Sequence, residues 1–98
     1  MTPTIIFTPA AREEMVDALK WYESQLAGLG IRFLRSVEAS LIRVAANPAQ
    51  FPAVFEDIHR ARLKKFPYAL FFRAEPESVV VIACFHASRD PRQWRRRV

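Results

Sequence analysis

The chain has 98 residues, the length of one small domain, and 51% of them are hydrophobic while 26% are charged. This balance excludes a disordered or fibrous protein. No window approaches the roughly 18 apolar residues that a membrane span needs, and the N-terminus lacks the apolar segment of a signal peptide. We therefore expect one domain over residues 1–98 in a cytoplasmic protein without a membrane segment.

The net charge of +5 is unevenly distributed along the chain. Residues 1–59 carry five basic and seven acidic side chains, whereas residues 60–98 carry ten basic and three acidic ones. Such asymmetry indicates an anionic partner, which is either nucleic acid or an acidic protein segment. The alternative is that the basic residues only keep a small domain soluble.

The first elements are predicted to be a strand that leads into a helix. "TIIF" is a short β-branched run, Thr8 is a good N-cap, and Pro9 suits the first helical position. An apolar stripe then recurs at helical spacing and consists of Met15, Leu19, Tyr22 and Leu26. The pattern predicts a helix from Pro9 to Ala27 that Gly28 and Gly30 break.

A second helix is predicted after the glycines and ends at Asn47-Pro48. Its apolar face comprises Ile31, Leu34, Val37, Leu41, Val44 and Ala45. Two helices joined by so short a connection form an antiparallel hairpin, which has to bury its shared face on another layer.

The second half of the chain supplies that layer as three strands. Arg60, Arg62 and Lys64 alternate with Ala61 and Leu63, which predicts a strand with one basic face. "YALFFR" and "VVVIACFH" follow as strands joined by the turn "AEPES". The predicted fold is α+β with two layers: an N-terminal strand and an α-helical hairpin packed on a curled antiparallel sheet (β-α-α-β-β-β), with a short C-terminal helix or tail.

The C-terminal stretch "FHASRDPRQWRRRV" is predicted to be a binding surface. Asp90 can cap a short helix that begins at Pro91, so that Trp94 folds back on the sheet and Arg92, Arg95, Arg96 and Arg97 are exposed. The full set of predicted binding residues is Arg60, Arg62, Lys64, Arg73, Arg89, Arg92, Trp94, Arg95 and Arg96.

Neither a metal site nor a cofactor is predicted. Cys84 and His86 have the spacing with which a zinc site can begin, but no other cysteine exists and His59 is the only other histidine. There is no glycine-rich phosphate loop, nucleophile elbow or H-E-x-x-H helix. The one cysteine also fits a reducing compartment.

The chain resembles the RelE/ParE superfamily of type II toxin–antitoxin modules, most closely its ParE-like, plasmid-stabilisation branch. The resemblance spans nearly the whole chain in the ordered fragments "WYE", "GLGIRFL", "NPAQFP", "RARLKKFPYALFFR" and "FHASRDPRQW". It implies a small toxin that a cognate, acidic antitoxin neutralises, as a homodimer or as a hetero-oligomer with the antitoxin. The implied target is DNA gyrase or, alternatively, ribosome-bound mRNA. A relative that binds the antitoxin without being toxic is a third possibility.

The two targets make different demands on the site. Metal-independent RNA cleavage needs a base for the 2′-hydroxyl, cations for the phosphate and an acid for the leaving oxygen. The candidates are His86, Arg89, Arg60, Arg62 and Lys64. In the ribonuclease branch the resemblance implies a sheet arginine about where Tyr68 stands, and a C-terminal tyrosine about where Trp94 stands. These departures favour inhibition of gyrase by binding.

Overall fold

The computed structural model describes residues 2–98 and contains the predicted succession of a strand, two helices and a set of strands, followed by a short helix. The elements are β1 (Thr4–Phe7), α1 (Pro9–Gln25), α2 (Leu29–Ala46), a 3-10 helix (Pro48–Gln50), β2 (Ala53–Phe55), β3 (Ile58–Arg62), β4 (Tyr68–Ala74), β5 (Ser78–His86) and α3 (Arg92–Arg95). The predicted α+β fold is therefore confirmed, with the short strand β2 in addition. No helix within residues 2–98 is long and apolar enough to cross a membrane.

The start of α1 agrees with the sequence, whereas its end differs. The Thr8 hydroxyl accepts a hydrogen bond from the Ala11 amide at 3.2 Å, and Pro9 occupies the first turn. The helix ends at Gln25, and Leu26 is 57% exposed instead of continuing the apolar stripe. The reason is the Glu23 carboxylate, which accepts hydrogen bonds from the amides of Gly28 and Gly30, each at 2.9 Å, and so turns the chain early.

The two glycines have different functions in the hairpin. Gly28 has φ 89°, a left-handed conformation that suits the turn. The chain breaks between the helices in the predicted segment, but Gly30 itself lies in the first turn of α2. A Cβ atom at Gly30 would lie 2.9 Å from the Leu19 carbonyl oxygen of α1, so glycine lets the helices approach closely.

The buried face of α2 includes Val37 and Val44 of the predicted stripe but differs from that stripe at other positions. Its buried side chains are Phe33, Val37, Ser40 and Val44, whereas Ile31 is 48% exposed. The close approach at Gly30 accounts for this difference, because it brings the Gly30 side of α2 against α1. The Gly30 and Phe33 positions therefore face inward in place of Ile31 and Leu34.

The five strands form one mixed sheet in the order β1-β5-β4-β3-β2. Strands β3 to β5 make the predicted antiparallel meander, and the unpredicted β2 adds to β3 in the antiparallel direction. Strand β1 adds to β5 in parallel, from Thr4 opposite Ser78 to Phe7 opposite Val81. A bulge in β5 follows Val81, since Phe72 pairs with Val81 while Phe71 pairs with Ala83. Among residues 2–98, no strand lies beside β5 on the β1 side beyond Phe7.

Apolar side chains pack on both faces of this sheet. The helix-facing core lies between the sheet and the helical hairpin and includes Ala18, Phe33, Val44, Leu70 and Phe72. The outer core lies on the opposite face and comprises Ile58, Ala69, Phe71, Ile82, Ala83, Phe85 and Trp94. The C-terminal tail, residues 87–98, covers part of the outer face by contributing Trp94, as the sequence predicted.

Candidate functional site

Strand β3 presents two arginines to the outer face of the sheet. Successive side chains alternate between faces, so Ile58, Arg60 and Arg62 lie on one side, while Ala61 and Leu63 pack in the helix-facing core. The predicted basic face therefore exists, with a fully buried isoleucine at its start. The arginines lie at the border of an apolar surface that the tail covers.

The tail closes a small cationic pocket over these arginines. This tail pocket of about 240 Å³ is lined by Val54, Arg60, Arg62, Ala69, Phe71, Phe85, His86, Ala87, Arg89, Pro91, Trp94 and Arg95. Among the residues that the structure describes, four guanidinium groups border it and no carboxylate does. Because like charges repel in a partly enclosed site, this arrangement favours an anionic occupant with paired oxygens, such as a carboxylate or a phosphate.

Trp94 anchors the tail against the sheet. Its ring is 1% exposed and stacks on Phe71 with the ring centroids 4.5 Å apart, and Phe55 packs edge-on at 6.0 Å. Stacking of this kind adds to the gain from burying a large aromatic side chain. Trp94 was predicted to bind a partner, but the structure buries it as the support of the pocket.

Two of the pocket arginines lie against aromatic rings. The Arg89 guanidinium carbon is 3.9 Å from the centroid of Phe85, and that of Arg95 is 5.1 Å from the centroid of Phe55. Arg89 also donates to the Gln93 side-chain oxygen at 2.7 Å. Within residues 2–98 the buried Nε of Arg95 and the buried indole N–H of Trp94 have no acceptor. An anion in the pocket could satisfy donors of this kind.

A carboxylate that the sequence analysis missed fixes the end of the tail. The Glu14 side chain, 12% exposed, accepts from two nitrogens of Arg97 at 2.7 and 3.1 Å. It also accepts from the Cys84 amide at 3.1 Å, on the side of β5 that β1 does not reach. Arg97 donates in addition to the Ile82 carbonyl at 2.8 Å. Glu14 thereby joins α1, β5 and the tail, and Arg97 is ion-paired rather than freely exposed as predicted.

The sequence contains a signal for Glu14. It lies three residues after Ala11 and four before Ala18, both buried, and so falls on the inward face of α1. A carboxylate on such a face needs a cationic or N–H partner. The arginine-rich tail was the candidate source of that partner.

His86 ends β5 at the rim of the tail pocket. Its ring packs edge-on against Tyr68 with the centroids 5.1 Å apart, and its Nδ1 accepts from the Ser88 amide at 3.0 Å. Because Nδ1 is the acceptor, the neutral ring carries its proton on Nε2. Tyr68 itself lies on the helix-facing side, where burial raises the pKa of its hydroxyl.

Several predicted site residues lie outside the tail pocket. Arg73 pairs with Asp57 at 3.4 Å and with Glu75 at 3.8 Å. Arg92 pairs with Asp90 at 2.7 Å, and this hydrogen bonding lowers the pKa of Asp90. Lys64 borders a different pocket, and Arg96 is exposed. The structure thus brings together Arg60, Arg62, His86, Arg89 and Arg95 around the buried Trp94.

Cys84 lies behind the site in the helix-facing core. Burial, with a smaller contribution from the negative charge of Glu14, raises the pKa of its thiol to about 12. The thiol is therefore protonated at neutral pH and is not a nucleophile. Within residues 2–98 no three side chains of the His, Cys, Asp and Glu types form a group that could hold a metal ion.

Two of three comparisons with known proteins give a match. A family model described as the ParE toxin of the type II toxin–antitoxin system, parDE, matches residues 5–91. A solved structure titled "Chromosomal ParDE TA system from P. aeruginosa" is similar with a TM-score of 0.70 and 13% identity, over 87% of this chain and 96% of that one. A search of curated proteins finds no match.

Proposed function

Since the chain belongs to the ParE toxin family and is the toxin component of a type II toxin–antitoxin module, we propose that it inhibits DNA gyrase by binding. The proposal makes the tail pocket and its rim the contact surface. It assigns no bond-breaking step to the chain itself.

The observation that carries the proposal is the lack of a proton-transfer pair among the side chains of the tail pocket. Guanidinium groups bind anions through their N–H donors and do not act as general acids or bases. His86 directs its basic Nδ1 to Ser88, and Trp94 is buried against Phe71. The pocket therefore suits binding of an anionic group better than acid–base cleavage of RNA.

The cations of the pocket support an interaction with carboxylates or phosphates of the target. Arg60 and Arg62 project from a strand in the middle of the sheet, and Arg89 is held by Phe85 and Gln93. The Arg89 side chain, which is fixed in this way, loses little conformational entropy when it binds. Arg89 is thus preorganised for a planar, two-oxygen acceptor.

A cognate antitoxin is the second partner that we propose. The similar solved structure is of a ParDE system, which supports an antitoxin partner for this chain. Residues 60–98 carry ten basic and three acidic side chains, so an acidic antitoxin segment would complement that half. The complex should weaken with salt, though less than a purely electrostatic one, because apolar contacts also form.

Inhibition of supercoiling by purified gyrase tests the proposal. We expect the wild-type chain to inhibit, the double variant Arg60→Ala, Arg62→Ala to lose most of the inhibition, and His86→Ala to retain it. His86→Ala is the matched control because it removes a pocket side chain without removing a permanent charge. Full inhibition by the double variant would contradict the use of this surface.

The ribonuclease remains the second candidate because one feature of the tail pocket favours it. Four guanidinium groups around one small pocket could stabilise the charge of a phosphate during cleavage. In that case His86 would have to supply the acid or the base. Loss of activity in His86→Ala, together with cleaved mRNA, would favour this function over gyrase inhibition.

A further inference from the structure

A second cationic pocket lies on the other side of the β3–β4 connection. This hairpin pocket of about 530 Å³ is lined by Tyr22, Leu29, Arg32, Arg35, Ser36, Lys64, Lys65, Phe66 and Pro67. Arg32 and Arg35 extend from one turn of α2, while Lys64 and Lys65 belong to the connection after β3. Two positively charged walls thus border one open groove, and no carboxylate of the described part of the chain lines it.

The two walls are held at a fixed separation. The Ser36 hydroxyl of α2 donates to the Lys64 carbonyl oxygen at 2.8 Å, which ties the helix to the connection. Between them, Phe66 packs edge-on against Tyr22 and Phe33, with centroid distances of 4.9 and 5.3 Å. The groove is therefore a built feature of the fold with an aromatic floor.

The cations of the hairpin pocket are not neutralised within the chain. Among residues 2–98, Arg32, Arg35, Lys64 and Lys65 make no ion pair, whereas Arg73, Arg89, Arg92 and Arg97 each have a carboxylate partner. Four adjacent unpaired charges repel one another and are stabilised by an anion that spans both walls.

The hairpin pocket adjoins the tail pocket. Pro67, which lines the hairpin pocket, accepts a hydrogen bond at 2.7 Å from the amide of Ala87, which lines the tail pocket. Arg62 of the tail pocket is the last residue of β3 and precedes Lys64 of the hairpin pocket by two residues. Unpaired cations therefore continue from one pocket to the other around the end of the sheet.

We propose that the hairpin pocket binds the phosphates of a nucleic-acid backbone. A backbone carries one charge per nucleotide at regular intervals, which matches a continuous series of cations without intervening carboxylates. The guanidinium groups of arginines can each donate two hydrogen bonds to the oxygens of a phosphate. Phe66 provides an aromatic surface beside these groups. An acidic peptide would match these cations only if it presented carboxylates at regular intervals along both pockets. The site is independent of the gyrase proposal, since neither requires the other.

Fluorescence anisotropy with a short labelled DNA duplex of arbitrary sequence, measured over a range of salt concentrations, tests this inference. We expect the wild-type chain to bind, and the double variant Arg32→Ala, Arg35→Ala to bind at least about tenfold more weakly. The slope of log K against log salt should be shallower by about 2 in this variant. Lys64→Ala should reduce the slope by about 1.

The double variant Arg12→Ala, Lys20→Ala is the charge-matched control, because both side chains are exposed on α1 and line neither pocket. It should retain the wild-type affinity to within about twofold. Unchanged thermal unfolding of the variants confirms that they are folded. Equal slopes for the wild-type chain and the double variant would overturn the proposal, as would variant-sensitive binding of poly-glutamate without variant-sensitive binding of DNA. The assay contains no gyrase, so its result is separate from that of the supercoiling test.

Discussion

The carboxylate of Glu14 and the guanidinium of Arg97, 83 residues apart in sequence, lie 2.7 Å apart and join the first helix to the end of the chain. Arg97 bonds the Ile82 carbonyl from the same position, and Glu14 bonds the Cys84 amide. The Cys84 amide and the Ile82 carbonyl of β5, which β1 does not reach, are therefore hydrogen-bonded by two charged side chains. The tail pocket depends on this pair, because the pair fixes the segment that closes it.

Replacing Glu14 by alanine should destabilise the fold by about 2 kcal/mol, since a mostly buried charge-assisted hydrogen-bond network is lost. Equilibrium chemical denaturation measures this value, with Glu13→Ala on the exposed side of α1 as the control. The double-mutant cycle with Arg97→Ala should give a coupling of about 1 kcal/mol or more. Additive effects would show that the ion pair does not stabilise the tail.

Trp94→Ala should destabilise the protein by about 3 to 5 kcal/mol, because it removes a fully buried aromatic side chain from the outer core. Trp94→Phe should have a smaller effect, as the stack on Phe71 is retained. Arg96→Ala is the control from the same short segment and should stay within about 0.5 kcal/mol of the wild type. A Trp94→Ala variant of unchanged stability that fails to bind a partner would support the contact role predicted from the sequence.

Much of the fold could be predicted because local signals agree with the tertiary structure. Thr8 and Pro9 start α1, the alternating residues of β3 place Arg60 and Arg62 on one face, and Pro91 opens the turn that returns Trp94 to the sheet. These are patterns of capping and periodicity, which act over a few residues.

The remaining features depend on contacts between distant segments. The parallel addition of β1 to β5 leaves no local pattern, because strand alternation is the same for either direction. Gly30 was predicted to break a helix, but the approach of α1 determines its function. In the same way, Lys64 follows the β3 alternation but lies after the strand ends, and so borders the hairpin pocket rather than the tail pocket.

The stability of the protein should decrease between about pH 9 and pH 12 through Cys84. The folded state raises the pKa of this thiol from 9.0 to about 12, so the unfolded chain loses the proton first as the pH rises. The stabilisation that comes from keeping the Cys84 thiol protonated is therefore complete below about pH 9. It is lost as the pH approaches about 12, the pKa of the thiol in the folded state. Chemical denaturation at several pH values, compared with Cys84→Ala, measures it. If the free energies of unfolding of the wild type and of Cys84→Ala changed in parallel with pH, the pH dependence would not come from Cys84.

Expression without an antitoxin tests toxicity in cells, where Arg60→Ala with Arg62→Ala is the informative variant. We expect growth arrest by the wild-type chain and by His86→Ala, and little arrest by the double variant. Truncation at Arg89 is a poorer test, because it also removes Trp94 and Arg97 from the folded structure. Unimpaired growth with the folded wild-type chain would instead favour a non-toxic relative that only binds antitoxin.

The most direct test of the central claim compares gyrase supercoiling and mRNA integrity with one preparation of the wild-type chain. At the concentrations that abolish supercoiling, primer extension should show intact mRNA in a reconstituted translation reaction. The reason is that the tail pocket has anion-binding arginines without a proton-transfer pair. Codon-specific cuts in the mRNA at concentrations that leave supercoiling unaffected would contradict the account.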